Sequence, residues 1–292
     1  LAFWEQANIN GIENKHWHFP PVEFIRVFRR CGWLSNEELA NVLKPSDALG
    51  RQRAAGLRVQ MNKMLSKYLI SSSKLRMAHF FSQVGIETGW WRYREEIGGT
   101  RYFRTMYEII TPAEAGEDYD NAVTRVRNLP SGRRPVELPN PGPHPKPTIN
   151  RTGYMASRPG QVLNKAAGMG NGVANAANGG RAGDGDRFHG RGFLQITGRK
   201  NYTSYEKYRG KDFTTDPNSA LLASDDYNAC DASGFFWVRE KISKHADGGP
   251  SSSVATTVGS VINRGNPNST PEHNTERQNA LVPMWSVLSD KI

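Results

Sequence analysis

Apolar residues recur at helical spacing in several stretches of the chain, most clearly in MAHFFSQVGIETGWW, residues 77–91. The apolar side chains that fall on one face at the 3.6-residue period are Met77, Phe80, Phe81 and Val84. This spacing predicts an amphipathic helix with a buried face. The same face continues to Glu87, so a carboxylate stands where the pattern predicts a dry position.

Other stretches show shorter helical patterns. They span residues 19–30, 36–44, 54–70, 103–110, 200–208, 225–242 and 274–290. The serines at 71–73 are typical N-cap residues for the helix that carries Glu87, and Thr111–Pro112 is interpreted as a helix end. The segment 127–160 is rich in proline without an apolar period, which predicts a surface loop, with an interdomain linker as the alternative. Strand signals are few, so the expected fold is mainly α.

The net positive charge of the chain restricts the classes of binding partner to expect. Lys and Arg exceed Asp and Glu by 10 in 292 residues, which favours an anionic partner such as a nucleic acid, an acidic membrane surface or a bacterial wall polymer, or simply a soluble basic surface. Nucleic-acid binding is disfavoured because no aromatic–basic pattern or reading helix is present. No apolar run reaches the ~18 residues that a membrane span needs. Cys31 and Cys230 predict two buried thiols, with a single bridge as the alternative.

The chemistry that Glu87 predicts is proton donation. Apolar surroundings disfavour the charged form of a carboxyl group, and a carboxylic acid that keeps its proton can protonate the leaving oxygen of a glycosidic bond. The alternative is that Glu87 only ends a helix at the surface, with Gly89 as its C-terminal stop.

A second carboxylate follows in WRYREEIGG. Glu96 lies nine residues after Glu87, which would place it on the opposite side of a continuous helix at about 100° per residue. The two carboxylates can face one cleft only if the helix breaks, and Gly89 supplies the position. Inverting glycosidases hold their carboxyl groups about 6.5–9.5 Å apart. The alternative is a solvated surface turn.

The segment FHGRGFLQITGRKNY, residues 188–202, carries polar side chains that alternate with apolar ones. Gln195, Thr197 and Asn201 would point to one side of an extended chain, as hydrogen bonding to a sugar requires. The alternative is a half-buried strand with a polar outer face. The neighbouring GDGDRFHG, residues 183–190, lacks the closing Glu of a calcium loop, and we predict no metal and no cofactor.

Together these segments resemble the family-19 glycoside hydrolases, the group that includes plant-type chitinases and many bacterial or phage lysozymes. The segments that carry the resemblance are KLRMAHFFSQVGIETGWW, HGRGFLQITGRKNY, DPNSALLASDDYNACDASGFFW, VINRGNPN and ERQNALVPMW. The resemblance implies a lysozyme-like, bilobal α-helical domain with long loops and at most a small β element. The implied domain is 57–292, with a Pro-rich insertion at 127–157, and it follows an N-terminal helical extension, 1–56.

The resemblance also implies roles for individual residues. Glu87 would be the general acid and Glu96 the general base, with the choice between Glu95 and Glu96 left open, and Thr197 would help to hold the attacking water. Glu108 matches the longer carboxylate spacing of plant-type chitinases, but its surroundings indicate a packed helix. The implied substrate-binding residues are Gln195, Asn201, Asn263, Arg277 and Tyr102, and Arg277 would also support the carboxylates by charge pairing. The family's His before the acid is replaced here by Ile86, and its Asn-Gly-Gly turn by Asn263-Arg264-Gly265.

The predicted function is that of a muramidase, which cuts the β-1,4 bond between N-acetylmuramic acid and N-acetylglucosamine in peptidoglycan by single-step inversion. The basic charge favours wall glycan, which carries acidic lactyl-peptides, over neutral chitin. The alternatives are a chitinase of the same family and a wall-binding module that has lost the chemistry.

The expected place of action is the bacterial periplasm and cell wall. This chain shows no signal peptide, so we expect delivery by a phage lysis system, as for an endolysin, by a secretion apparatus as an antibacterial effector, or as part of a longer protein. If the protein is a secreted toxin, an acidic immunity protein is expected to plug the basic cleft. The expected partner is otherwise the peptidoglycan glycan strand, without nucleic acid or membrane insertion, and the protein is expected to be a monomer.

Overall fold

Helices make up most of the structure. The computed structural model describes residues 32–43, 48–108, 110–128, 151–152 and 181–289. The helices are α1 (Asn36–Leu43), α2 (Ala48–Gly56), α3 (Arg58–Lys67), α4 (Lys74–Glu87), α5 (Thr100–Tyr107), α6 (Pro112–Arg127), α7 (Asp184–Phe188), α8 (Arg199–Arg209), α9 (Leu221–Ser224), α10 (Asp226–Arg239), α11 (Ile242–Ala246), α12 (Ser252–Arg264) and α13 (Asn274–Leu288), with a 3₁₀ turn at Asn218–Ala220. Within these ranges, strand pairing is limited to the isolated bridges Glu95–Arg191 and Arg191–Ile196. The prediction of a mainly α fold with at most a small β element is confirmed.

The helix boundaries confirm the predicted N-cap of α4 and differ from the sequence prediction near Pro112. Ser73 caps α4 as predicted, its hydroxyl accepting from the backbone N–H of Arg76. The helix predicted at 103–110 does end before Thr111–Pro112, but it ends already at Tyr107, and Pro112 begins α6. Thr111 and Glu114 bond reciprocally as a capping box, and proline is favoured at the first helical position. The predicted helix at 19–30 and nearly all of the predicted loop at 127–160 lie outside the described residues.

Helix α4 lies at the centre of the molecule. Every residue from Met77 to Gly85 is buried, and the helix packs against α13, α12, α11 and α1. The amphipathic prediction was therefore incomplete, because this helix is enclosed on all sides rather than on one face. Burial ends with the last turn, where Ile86 and Glu87 reach partly exposed positions. The fold thus brings the Glu87 carboxylate from the core to the surface.

Among the described residues, buried hydrophobic side chains form two main clusters and a third, small one of Ile110 and Ala115. The larger main cluster surrounds α4 and includes Leu39, Val42 and Leu43 of α1, so α1 packs into the same cluster as α3, α4, α10, α12 and α13. The smaller main cluster forms around Tyr202 and Tyr205 of α8. The domain boundary at residue 56 stays a prediction.

Helix α10 contributes side chains to both main clusters and also carries a buried charge, Asp231. Asp231 accepts from Lys67 at 2.6 Å, from Arg209 at 2.7 Å and from Tyr205 at 2.8 Å, which ties α10 to α3 and α8. Its neighbour Cys230 has a free, buried thiol, and burial raises the pKa of that thiol; Cys31 lies outside the described residues. In the described ranges, none of the helices combines the length and hydrophobicity that crossing a bilayer requires.

Candidate functional site

The Glu87 carboxylate is held by a buried arginine from α13. Arg277 Nη2 donates to Glu87 Oε1 at 2.5 Å, and Nη1 donates to Gln83 Oε1 at 2.7 Å. The side chain of Arg277 is 2 % exposed and that of Glu87 is 15 % exposed. Gln83 lies one turn before Glu87 on α4, so the guanidinium bridges two successive turns of the same helix face. Among the described residues Arg277 alone donates to Glu87, and the second carboxylate oxygen remains available to another partner.

Asn263 belongs to the same network. Its side-chain oxygen accepts from the Glu272 backbone N–H at 3.0 Å, and the Glu272 carbonyl accepts from Arg277 Nε at 2.8 Å. The Glu272 carboxylate accepts from Arg264, also at 3.0 Å. The turn that follows α12 is therefore fastened to the guanidinium that holds Glu87.

Glu96 accepts three hydrogen bonds. Tyr102 donates to Oε1 at 3.1 Å, while Tyr107 at 2.6 Å and the Gly190 backbone N–H at 3.2 Å both donate to Oε2. Burial, and then the nearby Glu96 charge, raise the pKa of Tyr107 well above 10, so its phenol remains a donor. Sequence reasoning named Tyr102 but missed Tyr107. Its position on α5, a helix rich in tyrosine and arginine, was the available signal.

The segment that carries Glu96 pairs with the 188–202 segment. The Glu96 backbone N–H donates to the Gly190 carbonyl at 2.8 Å, and the Gly192 N–H donates to the Arg94 carbonyl at 2.9 Å. These bonds account for the small β element, and they fix Glu96 through its backbone as well as its side chain.

Gly190 lies between Glu96 and the predicted floor residues. A Cβ atom at Gly190 would lie 2.4 Å from Gln195 Oε1 and 3.2 Å from Thr197 Oγ1. A side chain at position 190 would therefore displace the Gln195 amide and crowd the Thr197 hydroxyl. Glu96, Gln195 and Thr197 are grouped around Gly190.

The prediction of an extended chain through Gln195, Thr197 and Asn201 is wrong. Gln195 has a left-handed backbone, φ 52°, at the end of a tight turn, and Asn201 lies in α8. The Asn201 amide donates to the Thr197 carbonyl at 2.7 Å and its oxygen accepts from Arg239 at 3.0 Å. Asn201 is buried, and its contact with the Thr197 carbonyl holds the backbone at Thr197 in place.

Glu95 and Glu96 point to different neighbours, as consecutive residues of an extended segment do. The Glu95 side chain is 55 % exposed and lies 3.5 Å from both His189 Nε2 and Arg191 Nε. Burial, and then the charge of Arg191, lower the pKa of His189. His189 also stacks on Phe103, at 4.1 Å between ring centroids. Glu95 therefore faces a neutral imidazole and an arginine, away from the tyrosines that hold Glu96.

Glu108 has a structural use. It is buried, and Oε1 accepts from the backbone N–H groups of Gly183 and Gly185 at 3.0 and 2.9 Å. The carboxylate caps the start of α7, where orphan N–H groups favour an anion.

An unusual turn follows Glu87. Gly89, Trp90 and Trp91 have φ values of 56°, 59° and 72°, and the left-handed conformation costs an L-residue about 1–2 kcal/mol. Trp91 is fully buried, so core packing offsets the cost. The turn ends the helical path between the two carboxylates.

The predicted site residues thus form two groups. Glu87, Arg277 and Asn263 make one group at the end of α4. The second consists of Glu96, Tyr102, Gln195 and Thr197 around Gly190. Among the described residues no cluster of three or more His, Cys, Asp or Glu side chains could hold a metal ion. Comparison of the sequence with models of known protein families and with curated proteins found no match.

Proposed function

We propose that this protein is an inverting glycoside hydrolase similar to family 19, and that it cleaves the β-1,4 glycan of peptidoglycan as a muramidase. The observation that carries the proposal is the different hydrogen bonding of two carboxylates that lie nine residues apart in the chain. Glu87 accepts a hydrogen bond on one oxygen, whereas Glu96 accepts on both. Acid and base roles require two carboxyl groups in different environments.

Glu87 is the general acid in this proposal. Because Arg277 donates to Oε1, Oε2 is the oxygen that would deliver a proton to the glycosidic oxygen as the bond to the anomeric carbon breaks. Gln83 and Glu272 hold the guanidinium in turn, so the carboxyl group keeps its orientation while its charge changes.

Glu96 is the general base. A water molecule attacks the anomeric carbon from the face opposite the leaving group, and Glu96 accepts its proton. Thr197 supplies a hydroxyl near Gly190 that orients this water. After one turnover Glu87 is deprotonated and Glu96 protonated, and exchange with solvent restores both.

The substrate assignment rests on charge and on the second carboxylate. The excess of 10 positive charges suits a glycan that carries acidic lactyl-peptides. The carboxylate at the longer chitinase-type spacing, Glu108, is engaged in capping α7, which supports Glu96 as the base. In this proposal the protein acts in the bacterial cell wall, after delivery by a lysis or secretion system.

The test is mass analysis of the products released from purified peptidoglycan. Wild type is expected to release muropeptides with N-acetylmuramic acid at the reducing end, and Glu87→Gln and Glu96→Gln are each expected to lower kcat by a factor of at least about 100. Glu95→Gln is the matched control, because it removes an adjacent exposed carboxylate and is expected to keep most of the activity.

Three results would contradict this proposal. Cleavage of chitin oligomers but not peptidoglycan would assign a chitinase instead. Undiminished bacteriolysis by Glu87→Gln would assign a wall-binding module without chemistry. Loss of activity in Glu95→Gln but not in Glu96→Gln would exchange the base.

A further inference from the structure

We propose that Thr88 is a positioning residue, which fixes the Glu87 helix relative to the segment that holds Glu96 by closing the turn at Gly89–Trp91. The proposal rests on the glycosidase function proposed above for the two carboxylates. Thr88 itself is fully buried and is assigned no contact with substrate.

The Thr88 side chain joins α4 to the turn. Its hydroxyl donates to the Val84 carbonyl at 2.7 Å and accepts from the Trp91 backbone N–H at 2.7 Å. Its carbonyl also accepts from the Tyr93 N–H at 2.9 Å. Thr88 therefore bonds to a carbonyl of the last turn of α4 and also accepts from two backbone N–H groups that follow the helix, those of Trp91 and Tyr93.

The Trp91 side chain connects the turn to the 188–202 segment, which contacts Glu96. Its ring packs between Phe81 of α4, at 6.2 Å between centroids, and Phe193 of the 188–202 segment, at 5.0 Å. The Phe193 backbone N–H is itself bound by Ser233 of α10 at 2.9 Å. The indole thus connects the helix that carries Glu87 with the segment whose Gly190 binds Glu96.

A second contact holds the turn from the other side. The Trp90 N–H donates to the Gly85 carbonyl at 2.6 Å, and a Cβ at Gly85 would lie 2.9 Å from the Trp90 ring. The glycine lets the indole lie directly on α4, so both tryptophans of the turn are fixed to the helix that precedes them.

This arrangement matters because both carboxylates must meet one glycosidic bond. Misplacement of a catalytic group by about 1 Å can cost a factor of 100 in rate. The chain between Glu87 and Glu96 contains the left-handed turn, so any relaxation of that turn changes the separation of the carboxylates without removing either one.

The experiment compares Thr88→Val with Thr88→Ser. Valine keeps the shape but loses both hydroxyl bonds, and it is expected to lower kcat at least about tenfold with KM changed by less than about twofold. Serine keeps the hydroxyl and is expected to restore most of kcat. The matched control is Ser82→Ala, which removes another buried hydroxyl of α4 that donates to a backbone carbonyl, His79 O at 2.9 Å. It is expected to leave kcat unchanged.

Amide hydrogen exchange supplies a measurement that does not need enzymatic activity. Thr88→Val is expected to accelerate exchange at Trp91 and also at Glu96, whose N–H donates to Gly190. Ser82→Ala is expected to affect neither amide. If the wild type cleaves no glycan, the proposed function fails, whereas the positioning role is still judged by exchange at Glu96.

Equal loss of kcat in Thr88→Val and Ser82→Ala would overturn the positioning role. So would unchanged exchange at Glu96 in Thr88→Val. If Thr88→Val does not fold, Trp91→Phe replaces it, since a smaller ring between Phe81 and Phe193 is expected to lower kcat and accelerate exchange at Glu96 in the same way.

Discussion

At the scale of single residues, the two carboxylates differ in the donors that surround them. Among the described residues Glu87 accepts from one guanidinium, which also donates to the Gln83 side chain and the Glu272 carbonyl. Glu96 meets two phenols and a backbone N–H. Phenol donors orient a carboxylate without adding a positive charge beside it, which suits a group that has to accept a proton. Arg277, in contrast, places a positive charge beside Glu87, so the apolar surroundings that the sequence pattern predicted for Glu87 are not what the structure contains.

The shortest hydrogen bond to Glu96 leads to a prediction about Tyr107. Tyr107→Phe removes the 2.6 Å bond to Glu96 Oε2, and hydrogen bonds to charged groups contribute about 1.5–3 kcal/mol. We expect kcat on purified peptidoglycan to fall about 10- to 100-fold. Tyr102→Phe, which removes the longer 3.1 Å bond, is the matched variant and is expected to have a smaller effect. A larger effect of Tyr102→Phe would contradict the assignment of Tyr107 as the principal donor.

At the scale of helices, the best local signals were capping patterns. Ser73 was identified as the start of α4, whereas the capping box of Thr111 and Glu114 was overlooked because Pro112 was interpreted as a stop. Helix α12 was not predicted as an element. Its sequence, SSVATTVGSVINR, is rich in serine, threonine and β-branched residues with low helix propensity. Its packing against α13, α11 and α4 stabilises a helix that propensity alone does not predict.

The contact between α3, α8 and α10 depends on a buried charge that no local pattern indicates. Asp231 is fully buried and binds both Lys67 and Arg209. We expect Asp231→Asn to lower the free energy of unfolding by about 2–3 kcal/mol, because two cations would lose their partner. The Lys67 side chain is 35 % exposed, so water partly compensates for the lost partner and limits the destabilisation. Urea unfolding measures it.

The control for that prediction is the exposed pair of Arg76 and Asp247. Its aspartate side chain is 42 % exposed, and such surface pairs contribute at most about 1 kcal/mol. Asp247→Asn is therefore expected to destabilise the protein less than Asp231→Asn. The opposite order would mean that the Asp231 network contributes little net stability.

At the scale of the whole molecule, two buried histidines are expected to contribute to the pH dependence of stability. Burial lowers the pKa of both His79 and His189 from the ordinary value of 6.5. The unfolded chain therefore binds more protons than the folded chain just below pH 6.5, so their stabilising contribution is complete above that pH and is lost as the pH falls. The lowered pKa of Asp247 acts in a separate window, below about pH 4.

We expect the midpoint of urea unfolding to be lower at about pH 5.5 than at about pH 7.5. His79→Gln keeps a side-chain N–H for the Gly249 carbonyl, which His79 Nε2 contacts at 2.9 Å, but removes the titrating group. The difference between the two midpoints is expected to shrink in this variant. An unchanged difference would exclude His79 as a contributor.

The sequence alone predicted the mainly α fold and singled out Glu87 as a candidate functional residue, because helical periodicity, N-caps and a carboxylate on an apolar stripe are local features. The pairing of Arg277 with Glu87 was expected from the resemblance to a known family, and the structure contains that contact. Local patterns identified Glu87, Glu96, Gln195, Thr197 and Asn201 as candidates, whereas Asn263, Arg277 and Tyr102 came from the resemblance.

Only the tertiary structure decided how those residues are used. Glu95 and Glu96 are adjacent and chemically identical, and only the approach of Tyr107 and Gly190 separates their environments. Glu108 is assigned to capping because α7 comes to lie against it. These contacts join residues far apart in the chain, and they depend on packing geometry that no local period encodes.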